Sequence, residues 1–202
     1  MKGLKFLSVF IFGAVVATTV RADFPLKLSI DVSNKRNTYV VSSSNNGETK
    51  IERVNVDAKI RKAGGQEYTG ELTAELYIIG QKVNSGYYGI IDIVKTNFCL
   101  TAENDQTFEL KTKPYEIGYA SGNMKTGARY ETYLLVVVDK EGKIIDWRCG
   151  RALSQKGIDF IRKQGVNTVF DRDGYVLGKE NISLTQGVRA SVIANAIDND
   201  DD

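Results

Sequence analysis

Arg53-Val54-Asn55-Val56-Asp57-Ala58-Lys59-Ile60-Arg61 alternates without a break between charged or amide side chains and apolar ones. Successive side chains of a strand point to opposite faces, so this spacing predicts a strand with one apolar and one charged face. Such a strand is half-buried and needs a second layer to cover its apolar side. Working outward, strand-like runs occur at residues 26–32, 38–42, 72–83, 88–98, 107–112, 130–138 and 144–149. Spacers such as Asn45-Asn46-Gly47, Gly64-Gly65 and Ser121-Gly122-Asn123 carry the residues that turns require. Seven or eight short strands at this spacing predict a mainly β fold, an antiparallel two-sheet sandwich.

The clearest hairpin runs from Tyr133 to Trp147 through Asp139-Lys140-Glu141-Gly142. Asp139 can bond the backbone of its own turn and Gly142 can take positive φ. Asp171-Arg172-Asp173-Gly174 repeats the pattern between Val169-Phe170 and Tyr175-Val176-Leu177. Between the two hairpins the period changes. Leu153, Gly157, Phe160 and Ile161 stand at offsets 0, 4, 7 and 8, one face of a helix. Gly157 within that helix would cost roughly 1 kcal/mol relative to alanine, and Gly165 would cap it while Val166 folds back onto Ile161. Val188, Val192 and Ala196 allow a second short helix or a final strand.

The amino-terminal residues predict export. Lys2 and Lys5 are followed by an uncharged, mostly apolar run from Phe6 to Ala17, then by Val20-Arg21-Ala22. This is the layout of a cleavable signal peptide over residues 1–22, with Asp23 the new amino terminus. The run is shorter than the about 20 apolar residues of a spanning helix, and no cysteine follows it to take a lipid. The domain expectation is therefore a single β-sandwich over 23–197 and a solvated acidic tail over 198–202.

Residues 130–145, set among short alternating strands behind a signal peptide, resemble exported bacterial immunoglobulin-like β-sandwich proteins of uncharacterised function. The resemblance implies an immunoglobulin-like sandwich with a short helix and hairpin near the carboxyl terminus. Trp147 lies two residues before Cys149, whereas an antibody-type domain places its tryptophan between two cysteines on separate strands. No catalytic residue carries over.

Charge narrows the partners. The chain holds 27 basic and 25 acidic residues. Loss of residues 1–22 removes Lys2, Lys5 and Arg21, leaving 24 against 25, a net charge of −1. A near-neutral chain without a basic block has no electrostatic footprint for nucleic acid. The remaining partners are an envelope or extracellular protein, or a polysaccharide. No cofactor or metal is read from the sequence. Cys99 and Cys149 are its two cysteines. In an exported protein an even count suggests one bridge, which would close 51 residues and stabilise the fold by roughly 4 kcal/mol. The alternative is two buried free thiols.

Histidine is absent from the whole chain. That removes Ser-His-Asp and Cys-His nucleophile sets and the commonest metal ligand. No serine is followed three residues later by lysine, and no glycine-rich phosphate loop is present. The first functional expectation is thus a non-enzymatic binding or structural module. A carboxylate glycosidase is the second, with Asp92 as the buried acid and Glu75 or Glu116 opposing it. A calcium-dependent adhesion module built on Asp171 and Asp173 is the third, although a cationic Arg172 and Ser183 break the calcium-loop pattern. Tyr87, Tyr88, Tyr115 and Tyr119, in or beside the glycine-rich segments 86–89 and 118–127, are the candidate ligand-binding residues, because tyrosine offers a flat apolar face with a polar tip. Asn181-Ile182-Ser183 matches a glycosylation acceptor and decides nothing.

Overall fold

The alternation that begins the reading above lies in a long strand whose apolar face is wholly buried: Val54, Val56 and Ile60 are 0% exposed. A computed structural model describes residues 26–44, 47–65, 68–122, 125–150 and 157–183. The signal peptide, Leu153, the segment 188–196 and the tail 198–202 lie outside the described residues.

Among the described residues the strands are β1 (Leu26–Ser44), β2 (Gly47–Gly65), β3 (Leu72–Lys82), β4 (Tyr88–Phe98), β5 (Thr107–Leu110), β6 (Tyr115–Gly122), β7 (Thr126–Asp139), β8 (Ile144–Cys149), β9 (Thr168–Phe170) and β10 (Val176–Lys179), with a short α-helix, α1 (Ile158–Arg162), before β9 and a single 3-10 turn at Ala102–Asn104. All pairings are antiparallel. Hydrogen bonding runs continuously in the order β1-β2-β6-β7-β3-β4-β9-β10, with β5 beside β2 and β8 beside β7. The fold is therefore mainly β, one connected antiparallel sheet of ten strands.

β7 makes that continuity. Its first two residues, Thr126 and Gly127, pair with Ala120 and Tyr119 of β6. From Ala128 onward it pairs with β3, through to Asp139 opposite Leu72. The turn from one partner to the other is made at Gly127, whose φ of 84° a side chain would strain.

Two hydrophobic clusters follow from the period of two. In the first, Ile30 of β1 and Val54, Val56 and Ile60 of β2 meet Leu76 and Ile78 of β3 and Leu135 and Val137 of β7. On the opposite face of β3 and β7, Tyr77, Ile79, Leu134 and Val136 pack with Ile161 of α1 and Phe170 of β9. β3 and β7 are covered on both faces. That is why they read as near-continuous apolar runs while β2 alternates.

Three expectations change. β1 joins two runs read as separate strands: Ser33 to Asn37 is polar, yet it pairs in unbroken register with Asp57 to Arg53. The backbone ladder to β2 carries that stretch without an apolar face. Second, Tyr115 and Tyr119 belong to a strand, β6, and not to a loop. Third, Gly157 stands at the N-cap of α1 with φ of 78°, and the helix ends at Lys163 in right-handed geometry. Val166 is exposed, and it is Asn167 that adopts positive φ, at 66°. Gly165 is thus not the left-handed cap.

The cysteines are free thiols, Cys99 exposed and Cys149 part-buried. Register explains it. Cys149 is level with Leu134, Tyr77 and Ile93 across β8, β7, β3 and β4. Cys99 follows Phe98 on β4, six residues further along, so the two are separated by about 20 Å along the strands and three strand spacings across them. A disulfide needs Cα atoms within about 7 Å. Alkylation of the denatured, unreduced protein should therefore add two groups. In the native protein Cys99 should react several-fold faster, because burial pushes the Cys149 thiol up and leaves less thiolate. A chain that takes up no alkyl group before reduction would contradict this placement.

Candidate functional site

Where β7 changes partner, its backbone edge is briefly without a strand. The Tyr130 amide there donates to Oε2 of Glu52 at 2.8 Å. Glu52 lies in the alternating row of β2 that continues into the core, and it is 4% exposed. Its other oxygen meets Nε of Arg36, from β1, at 3.2 Å. A buried carboxylate thus closes the open edge of β7 and is itself neutralised.

Above this pair opens a cleft of about 470 Å³. One wall is Arg36, another is β6 at Tyr119 and Ser121, and a third is the end of β3 at Gln81 and Lys82 with Gly86 beyond it. Lys125, just before β7, and Arg129 and Glu131 within it complete the lining. Four of these lining side chains are cationic and one is anionic. The Arg129 guanidinium lies 4.3 Å from the centre of the Tyr119 ring, and that of Arg36 lies 5.7 Å from the Tyr130 ring. Each arginine lies within cation–π range of an aromatic ring. Lys50, opposite Tyr119 in the β2–β6 register, bonds Glu48 at 2.5 Å. Burial, the largest influence, pushes the Tyr130 phenol up to about 12. Its hydroxyl makes no hydrogen bond of ordinary geometry, with the Asn34 side chain beside it.

The loop between β3 and β4 forms the rim. Gln81 Nε2 donates to the Gly86 carbonyl at 3.0 Å, and the Lys82 amide donates to the Tyr87 carbonyl at 2.8 Å. Lys82 Nζ is paired with Glu180 at 2.7 Å. From there the chain runs through Ile182, 4% exposed, which sits in a notch left by Gly80 and Gly89. The Gly118 amide then donates to Ser183 Oγ at 3.2 Å. Asn181, of the glycosylation tripeptide, accepts the Ser183 amide through Oδ1.

The structure disperses the four tyrosines. Tyr119 forms the cleft wall under Arg129, and Tyr87 is exposed on the rim next to Gly86. Tyr88 begins β4 and stacks on Phe170 with ring centres 5.7 Å apart. Tyr115 packs against the first core cluster, and burial, together with the Asp92 carboxylate that accepts its hydroxyl, pushes its phenol up.

The three carboxylates considered for acid catalysis are likewise apart. Asp92 also accepts the Ile93 amide at 2.8 Å. It stands opposite Ile78, on the face of the first cluster, whereas Glu75 bonds Tyr77 on the face of the second. Glu116 is next to the inward Tyr115 and level with Arg53, so period two turns it the other way. Asp171 accepts the amides of Asp173 and Tyr175 through Oδ1, as Asp139 does those of Glu141 and Lys143. Both are the same self-bonded turn. Among the described residues no three acidic, cysteine or histidine side chains are grouped to hold a metal ion, and no helix is long and apolar enough to cross a membrane.

Sequence reasoning missed Arg36, Lys82, Lys125 and Arg129. No local pattern marks them, because Arg36 comes from β1, Lys82 from β3 and the other two from around the start of β7, which the fold alone brings together.

No family model matches the chain, and no curated protein matches it. Among solved structures it is similar to a crystal structure from Akkermansia muciniphila, at 14% identity over 79% of this chain and 89% of that one, with a TM-score of 0.28. It is also similar to the Northeast Structural Genomics Consortium target SoR45, at 12% identity over 65% of this chain and 89% of that one, with a TM-score of 0.22.

Proposed function

We propose that the protein is an exported, non-enzymatic binding module of the cell envelope or extracellular space, a two-sheet immunoglobulin-like sandwich whose ligand sits in the cleft between β1, β3, β6 and β7. The observation that carries this reading is the arginine within cation–π range of an aromatic ring at the cleft wall, Arg129 with Tyr119. Side chains held in this way are pre-organised for recognition, since less freedom is lost when a ligand binds. The sandwich reading draws support from the first core cluster, in which β1 and β2 face β3 and β7. The non-enzymatic reading draws support from Asp92, whose carboxylate is engaged by a backbone amide and a tyrosine hydroxyl.

The test is thermal. The purified protein is melted with neutral and acidic oligosaccharides, calcium and envelope proteins. A ligand at about 100 times its Kd stabilises a fold by about 2.7 kcal/mol, which at this chain length raises Tm by roughly 5–10 °C. The expected result is such a shift, lost in an Arg129→Gln variant that otherwise melts normally. Cleavage of an oligosaccharide that disappears in Asp92→Asn would overturn the non-enzymatic reading. A shift unaffected by Arg129→Gln would place the ligand elsewhere.

A further inference from the structure

Charge is unevenly satisfied around this cleft. Arg36 and Lys82 already face carboxylates, Glu52 at 3.2 Å and Glu180 at 2.7 Å. Arg129 and Lys125 meet none among the described residues. With its guanidinium carbon 4.3 Å from the centre of the Tyr119 ring, Arg129 keeps N–H donors available for a ligand. The open cations therefore await a planar or tetrahedral oxyanion.

Four further observations narrow the ligand. A volume of about 470 Å³ lies in the range of small-molecule sites, roughly 300–1,000 Å³, and the sequence holds no basic block to track a nucleic acid. Glu131 shares the wall with these cations. A carboxylate there repels a bare polyanion, yet it accepts hydrogen bonds from hydroxyl groups. Tyr87, 40% exposed beside Gly86 on the rim, offers a flat face of the kind that a sugar ring covers.

Building on the proposal that this cleft is the binding site, we infer that its ligand is an acidic sugar, its carboxylate or sulfate held by Arg129 and Lys125 and its hydroxyls by Glu131. Arg129 supplies the paired donors, and Lys125, on a longer and freer stem, supplies charge.

Isothermal titration of the full protein decides it, with four probes: a trimer of galacturonic acid, its methyl ester, a sulfated trisaccharide and inorganic sulfate. The expected result is that an acidic trisaccharide binds and the ester binds at least tenfold more weakly. Arg129→Gln should cost the acid at least tenfold while leaving the ester unchanged. The better of the carboxylate and sulfate probes then names the anion. Equal binding of acid and ester, abolished alike by Arg129→Gln, would overturn the oxyanion while leaving the cleft as the binding site. Inorganic sulfate binding as tightly as either trisaccharide would overturn the sugar. If no probe binds while another ligand raises Tm in an Arg129-dependent way, the acidic sugar is wrong and the module reading stands. If nothing raises Tm at all, both fail.

Discussion

Glu75→Ala should destabilise the protein by about 2–4 kcal/mol and free α1 from the sheet. Glu75 is 6% exposed on β3. It accepts Arg162 Nε at 2.8 Å, Lys95 Nζ at 2.9 Å and the Tyr77 hydroxyl at 3.3 Å. Alanine leaves the buried Tyr77 hydroxyl without an acceptor and removes the ion pair that ties α1 to β3. A helix of five residues cannot hold itself together in water. Arg162 and Lys95 can turn partly to solvent, since their side chains are 22% and 56% exposed, which keeps the cost below that of a fully buried pair. Urea unfolding reads the difference, and a change under 0.5 kcal/mol would refute the latch.

The same carboxyl gives a pH signature. Burial alone would raise it, but the hydrogen bonds from Arg162 and Lys95 outweigh burial and hold it below the ordinary value of 4.5. The native state then binds this proton less readily than the unfolded chain does. Its contribution is present above the unfolded value and is lost as pH falls through the native one. Glu75→Gln should be less stable at neutral pH and lose less stability on acidification below about pH 4.5.

The second large effect concerns Ile182. Truncation to alanine should cost about 2–5 kcal/mol, because this side chain fills the notch over Gly80 and Gly89. The notch makes a sharper prediction. The three atoms nearest to a Cβ on Gly89 would all belong to Ile182, Cδ1 at 2.7 Å, Cγ2 at 3.2 Å and Cγ1 at 3.3 Å. A Cβ on Gly80 would meet Ile91 Cδ1 at 2.7 Å and the Arg129 carbonyl oxygen at 3.0 Å as well as Ile182. Gly89→Ala should therefore destabilise the parent by roughly 1–3 kcal/mol and cost much less once Ile182→Ala has emptied the notch. Gly80→Ala should stay costly in both. A double-mutant cycle measures this, and equal coupling for the two glycines would refute the packing.

How much of this was legible depended on whether a residue's burial is decided by its neighbours in sequence. The face of β2 was, because each inward residue is flanked by outward ones. The paired Asp-x-x-Gly turns were too, since their bonds close within five residues. The middle of β1 was not, because its polar stretch is held by a ladder to a strand it meets in the hairpin, not by apolar spacing. β6 was hidden by Gly118 and Gly122 within Tyr-Glu-Ile-Gly-Tyr-Ala-Ser-Gly. Helical spacing found α1 but set its limits wrongly. The cleft was the least legible of all: Arg36 and Arg129 are far apart in the chain, and Glu52 stands just before the alternating run that marked β2.

β7 belongs to both hydrogen-bonded neighbourhoods and lends side chains to both clusters, so neither half of the molecule can melt while the other persists. The amide hydrogens of Leu135 to Val137 should consequently exchange with solvent only when the entire protein opens, giving the cleft at the start of this strand a rigid frame at its back.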